Sequence, residues 1–276
     1  MSMTNKIFTV DVEEYYHAEN ILSSLPEDKI KSLPDRLKVG LNKLLDLLEK
    51  SNSKATFFVL GGVAEKNRDL IKRISNSGHE IASHGYEHMP LYKHTTATFE
   101  EDLSKSIKIL SDITGQKIIG YRSTSFSFPE KIECFFDVLR KYGLVYDSSL
   151  SLSLFRGRYR KFMDRLSYCE KHTEILEFPP SFISFGPVRF PLGGGYFRAY
   201  PYWLTVRGLR AIYYERKMPP LFYIHPWELD AGQPRFKIPY LRAFRHYCNL
   251  NRTEKKLQKL LSNIEFTSIK NFLGKT

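Results

Sequence analysis

The chain has 276 residues, of which 42% are hydrophobic and 26% charged, a balance that excludes a disordered or low-complexity polymer and suits a globular enzyme or binding domain. Lys and Arg outnumber Asp and Glu by 42 to 30, and the net charge of +12 fits either a generally basic soluble surface or an anionic partner: nucleic acid, a membrane surface or an acidic polymer. The three cysteines, Cys134, Cys169 and Cys248, have no CxxC spacing, which argues against both a disulfide framework and a thiolate metal site.

The chain opens without an apolar signal region, and no apolar run approaches membrane-spanning length, so the expectation is a cytoplasmic protein with room for peripheral membrane contact. A strand is predicted over Lys6 to Val12. Leucines at 37, 41, 44, 45 and 48 then mark a helix over Arg36 to Lys50. The apolar run Ala55 to Leu60 reads as a strand closed by Gly61-Gly62, followed by a helix over Glu65 to Ser77 that Gly78 stops. A strand at Glu80 to Ser83 leads into His84. Next come a helix over Thr98 to Thr114, a strand over Lys117 to Tyr121 and a helix over Glu130 to Tyr142. Beyond Tyr146 the alternation weakens: strands over Glu174 to Phe185, a Gly-rich turn region over Pro187 to Phe197 and a helix over Pro201 to Lys217. A strand at Leu221 to Ile224 and a helix over Thr253 to Ile264 close the chain. Strands alternating with helices predict βαβ units and a parallel sheet, here a distorted (β/α) barrel of about seven strands. Without a repeat or linker, one domain spans 1–276, with a metal-binding half over 1–150 and a half completing the barrel and groove over 151–276.

Polar residues gather at the strand ends, where barrel active sites are built. Asp11 and Glu13, two apart on a strand, share a face that Glu14 does not. An acidic strand end alone is usually solvated, but His84 and His88 follow at i, i+4, a spacing that puts both on one face of a helical turn and within reach of one divalent ion. With a carboxylate they make a two-His, one-carboxylate set suited to Zn, Co or Fe. Arg122 and His225 end two further strands; a histidine between Ile224 and Pro226-Trp227 could be a core residue or a general acid.

Thr9 to Glu13, Ser83 to His88, Gly120 to Phe126 and Tyr223 to Asp230, in this order, resemble the motifs of the polysaccharide deacetylases of carbohydrate esterase family 4. Gly193 to Arg198, His225 to Glu228 and Phe244 to Tyr247 are similar to the exosortase-associated subgroup from bacterial exopolysaccharide clusters. The resemblance implies metal-dependent removal of acetyl from an N-acetylated sugar, in a polysaccharide or a lipid-linked glycan precursor. It implies that Glu13, His84 and His88 hold one divalent ion, zinc first among the candidates, and that Asp11 is the base. His225 becomes the acid, Arg122 the support of Asp11, and Tyr196 and Trp227 the lining of the sugar pocket. The chain departs from the family pattern in placing Val12 between the two acids, which leaves Glu14 as a substitute ligand, and in carrying Thr124 where proline is usual. His17 and His94 are read as structural or substrate-side.

Two other readings use the same residues: a hydrolase of a cyclic imide or ureide on the same fold, and a catalytically inactive carbohydrate-binding protein. The abundance of Tyr, Phe and Trp in the second half favours a glycan over a small ureide, and the retention of Asp11, His84, His88 and His225 favours an enzyme. Nucleic acid is not an expected partner, because the cations carry no recognition motif. The charge fits an anionic leaflet or a pyrophosphate-linked carrier.

Overall fold

The structure, a computed structural model, describes residues 6–127, 132–150, 174–185, 188–215 and 219–274. Its strands in chain order are β1 (Ile7–Val12), β2 (Thr56–Val59), β3 (Glu80–Ser83), β4 (Gly120–Tyr121), β5 (Tyr146–Asp147), β6 (Leu176–Glu177), β7 (Phe182–Phe185), β8 (Val188–Pro191) and β9 (Leu221–Ile224). Seven of them form a parallel sheet in the order β6-β5-β4-β3-β2-β1-β9, and β7 and β8 form an antiparallel hairpin. By internal packing the chain divides into two compact units, residues 1–55 with 192–276, and residues 56–191.

In the first unit β1 pairs with β9 from Ile7↔Leu221 to Val10↔Ile224. Every residue of β1 is buried, as expected of a parallel strand covered on both faces. The helix Leu37–Lys50 buries Leu37, Leu41, Leu44, Leu45 and Leu48, the stripe that the leucine spacing marks. A side chain at Gly40 would put its Cβ 1.8 Å from the carbonyl oxygen of Pro226, so only glycine lets this helix sit against the 3-10 turn Pro226–Leu229 that follows β9. The closing helix runs over Leu250–Asn263, three residues earlier than its spacing suggests. The helix Tyr240–Tyr247 was not anticipated: its apolar residues at 240, 241 and 244 face outward, which hides the usual core-facing signature.

In the second unit β2 and β3 run in register from Thr56↔Glu80 to Val59↔Ser83, and Asp147 lies opposite Glu177 on β5 and β6. The single helix expected over Glu65 to Ser77 is two helices, Gly61–Lys66 and Arg68–Asn76, broken at Asn67 (φ −130°, ψ 39°). Gly61 and Gly62, read as closing the strand before them, also start the first of these helices. The helix Thr96–Thr114 starts two residues before the expected Thr98, because Thr95 and Thr98 cap it reciprocally. The turn expected over Pro187 to Phe197 is corrected as well: β8 occupies Val188–Pro191 and a short helix Gly194–Ala199 follows. Pro187 lies outside the described residues, as do Cys169, Glu130, Lys131 and Lys217 from the other expectations.

Candidate active site

Asp11, Glu13 and Glu14 are all buried at the end of β1, yet they face different partners. Glu14 accepts the backbone N–H groups of Arg36 (2.9 Å) and Leu37 (2.8 Å), capping the helix Leu37–Lys50. Burial raises its pKa while those two N–H groups oppose the rise. The carboxylate left open as a substitute metal ligand is therefore a helix cap. Asp11 and Glu13 instead face the histidine at the end of β9: His225 Nε2 lies 3.8 Å from Asp11 Oδ2 and 3.6 Å from Glu13 Oε1.

The other side of His225 is fixed by Glu228, whose Oε1 is 2.8 Å from Nδ1 and 3.0 Å from the His225 backbone nitrogen. Arg198 Nε donates to the second Glu228 oxygen at 2.6 Å, and both side chains of that pair are buried. The remaining Arg198 N–H groups donate to the carbonyls of Arg245, His246 and Cys248. Burial alone would depress the His225 pKa; the carboxylates of Glu13, Glu228 and Asp11 outweigh it and lift the pKa to about 9. Burial pushes Glu228 up, but Arg198 and His225 hold it below its ordinary value.

Trp227, expected to line the sugar pocket, lies two residues beyond His225 in the 3-10 turn Pro226–Leu229. Its ring is buried, with His225 stacked at 5.3 Å and His246 at 4.6 Å, and its Nε1 donates to Glu13 Oε1 at 3.4 Å. Tyr196, on the helix Gly194–Ala199, is half-buried with its ring 5.8 Å from Tyr200. That helix starts at Gly194 with φ +52°, and a Cβ on Gly193 would fall 2.3 Å from the ring of Tyr223.

In the second unit the segment joining His84 to His88 is a bend, not the helical turn expected from the i, i+4 spacing. Gly85 takes φ +82°, and the N–H groups of Tyr86 and Glu87 donate to Asp102 at 2.7 and 3.0 Å, so the chain cannot close a helical turn there. The two rings still approach, with centroids 6.2 Å apart. His84 Nδ1 lies 2.7 Å from the carbonyl oxygen of Arg122; that acceptor fixes the proton on Nδ1 and leaves the Nε2 lone pair for a metal. Arg122 is fully buried, donates to Ser148 Oγ at 2.7 Å and lies 4.0 Å from the Phe58 ring centroid. His17 Nδ1 accepts the Glu14 backbone N–H, and His94 packs edge-on against Phe99.

Glu13 in the first unit and His84 and His88 in the second are the residues that the resemblance names for a divalent ion; Glu13 and His84 are buried and His88 is half-buried. Two imidazoles and a carboxylate suit a borderline divalent ion, and the fixed tautomer of His84 fits that use. Sequence reasoning missed the residues that brace this site. Arg198, Glu228 and His246 each sit in a stretch that carries the family resemblance, so a signal was present, but which residue meets which depends on the fold. Asp102, sixteen positions beyond Tyr86, gave no signal.

Residues 34–146 match the family model of polysaccharide deacetylases, and residues 156–274 match a domain of unknown function, DUF3473. A peptidoglycan deacetylase of Helicobacter pylori is 33% identical over 129 residues, 47% of this chain and 43% of that protein. The chain thus spans less than half the length of the first curated relatives it matches. A Mycobacterium smegmatis structure, solved as a candidate polysaccharide deacetylase, superposes with TM-score 0.60 at 17% identity over 98% of this chain and 90% of that one. A pseudoenzyme of carbohydrate esterase family 4 from Bacillus anthracis gives TM-score 0.50 at 14% identity over 99% of this chain and 66% of that one. The fold is the distorted (β/α) barrel, and the sequence matches support the polysaccharide deacetylase family. Because an inactive protein shares the fold, activity has to be argued from the residues of the site.

Proposed function

We propose that this chain hydrolyses the N-acetyl group of an N-acetylated sugar in a bacterial glycan, with one divalent ion, zinc first, held by Glu13, His84 and His88. The observation that carries this reading is the strand-end pair Asp11 and Glu13, both facing one ring nitrogen of a histidine braced by Glu228. When bound, the ion supplies Lewis acidity that polarises the acetamide carbonyl. Asp11 takes the proton of the attacking water. His225, braced at Nδ1 by Glu228, donates a proton from Nε2 to the leaving sugar amine. Arg122 has the part the resemblance gives it, support of Asp11, and Tyr196 contacts the sugar.

The substrate class is a glycan such as peptidoglycan, an exopolysaccharide or a lipid-linked precursor. Support for the exopolysaccharide subgroup comes from how its three segments work together: Arg198 pairs with Glu228, Glu228 holds His225, and His246 stacks on Trp227. The test is acetate release from N-acetylated peptidoglycan fragments and poly-N-acetylglucosamine, for wild type, Asp11→Asn and His225→Ala. The reading expects release by wild type and a fall of about 10²–10⁴-fold in each variant. Release that survives both substitutions, or its absence on every N-acetylated glycan with metal present, contradicts it.

A further inference from the structure

Between Asp230 and Glu254 the chain contains no acidic residue, while Arg235, Lys237, Arg242, Arg245 and Arg252 fall within that interval. At its centre the helix Tyr240–Tyr247 turns His246 inward, where Nε2 meets Gln233 Oε1 at 2.8 Å and the ring stacks on Trp227. Arg242 ties the helix down by donating to Ser23 O (2.8 Å) and Ser24 Oγ (3.0 Å). The outward side presents Tyr240, Leu241 and Phe244, with exposures of 81%, 70% and 53%. At i, i+1 and i+4 these three lie on one face, so their apolar surfaces adjoin. Single exposed apolar residues need no explanation, but a contiguous group bordered by cations does. Arg245 is exposed on the same helix, and Arg235 and Lys237 are exposed just upstream.

We infer that this face docks on an anionic phospholipid surface, Tyr240, Leu241 and Phe244 entering the headgroup boundary while Arg235, Lys237 and Arg245 meet lipid phosphates. A short amphipathic helix with an apolar face and bordering cations binds in the interfacial plane, where apolar depth and negative charge occur together. A second copy of the chain would bring these cations against their own kind with no acid in the segment to offset them. A neutral glycan would leave the cations unused. No helix among the described residues is long and apolar enough to cross a membrane, so the contact is peripheral. This inference stands apart from the deacetylase reading, since its test uses no glycan.

The test is co-sedimentation of the full chain with phosphatidylcholine vesicles, with and without about 30% phosphatidylglycerol. The variants are Tyr240→Ser with Leu241→Ser and Phe244→Ser, then Arg235→Gln with Lys237→Gln and Arg245→Gln. A charge-matched control carries Lys38→Gln, Lys50→Gln and Lys72→Gln on exposed positions of other helices. Wild type and control should bind the anionic vesicles and not the neutral ones, and each of the first two variants should lose at least about tenfold in partitioning. Should the apolar variant fail to fold by circular dichroism, the cation variant carries the test. The inference is overturned if wild type ignores anionic vesicles, if the control loses as much as the cation variant, or if sedimentation velocity shows a dimer that the apolar variant abolishes.

Discussion

His225 is held between opposed demands. Its Nδ1 side is closed by Glu228, itself neutralised by Arg198, while its Nε2 side is open to Asp11 and Glu13. Removing one charge from this chain should move the rest in a readable way. In Glu228→Gln the amide keeps a hydrogen bond to Nδ1 but no longer stabilises the imidazolium, so the His225 pKa falls from about 9 toward its ordinary value. A general acid that deprotonates earlier moves the alkaline limb of the kcat/KM profile to lower pH; an unmoved limb would show that His225 is not the acid. The same substitution leaves Arg198 buried without its carboxylate, and unfolding in urea should register a loss of about 3 kcal/mol. Much of this was legible residue by residue. Asp11, Glu13, His84, His88, Arg122 and His225 stand out because polar groups at the ends of apolar strands are conspicuous. Glu228, Arg198 and Asp102 do not, because a brace looks like any other charged residue until the fold brings it to its partner.

At the scale of elements, the loop between His84 and His88 brings two rings together by a different route from the one their spacing suggests. The i, i+4 interval suggested a helical turn, whereas Gly85 at φ +82° and two backbone donors to Asp102 make a bend. Both conformations bring two rings together, but only the bend depends on a carboxylate 16 positions away from Tyr86. Asp102→Asn leaves one oxygen to accept two N–H groups, loosening the loop; zinc affinity by calorimetry should fall about 10-fold or more while β3 and its neighbours stay folded. Unchanged affinity would mean that the bend does not set the ligand geometry. The strands themselves were the easiest elements to read: the runs at Ile7–Val12, Thr56–Val59 and Leu221–Ile224 are short, mostly apolar and rich in β-branched and aromatic residues. Glycine was the least dependable guide. Gly61-Gly62 and Gly193-Gly194 punctuate the sequence like turns, yet each pair lies at the start of a helix.

At the scale of the whole molecule, the buried network around His225 bears on stability as well as on the proposed chemistry. His246 is fully buried against Trp227; burial, with Arg198 adding to it, lowers its pKa to about 3, so it folds as neutral imidazole. Because the folded pKa lies below the unfolded one, this group's contribution is present above about pH 6.5 and is lost as pH falls through that value toward 3. Unfolding free energy measured against pH should therefore decline on the acid side by up to about 1.4 kcal/mol per unit from this group, and His246→Phe should flatten that slope by one proton. An unchanged slope would place the acid sensitivity elsewhere. Net charge and composition offered no hint of this network, since they count charges without saying which are buried. The central claim, that this fold carries a working metal-dependent hydrolytic site, is tested most directly by bound-ion stoichiometry. Calorimetric titration with zinc should give one ion per wild-type chain, with most of the affinity lost in Glu13→Gln, His84→Ala and His88→Ala. A wild type that binds no divalent ion, or variants that bind it as tightly, would contradict the account.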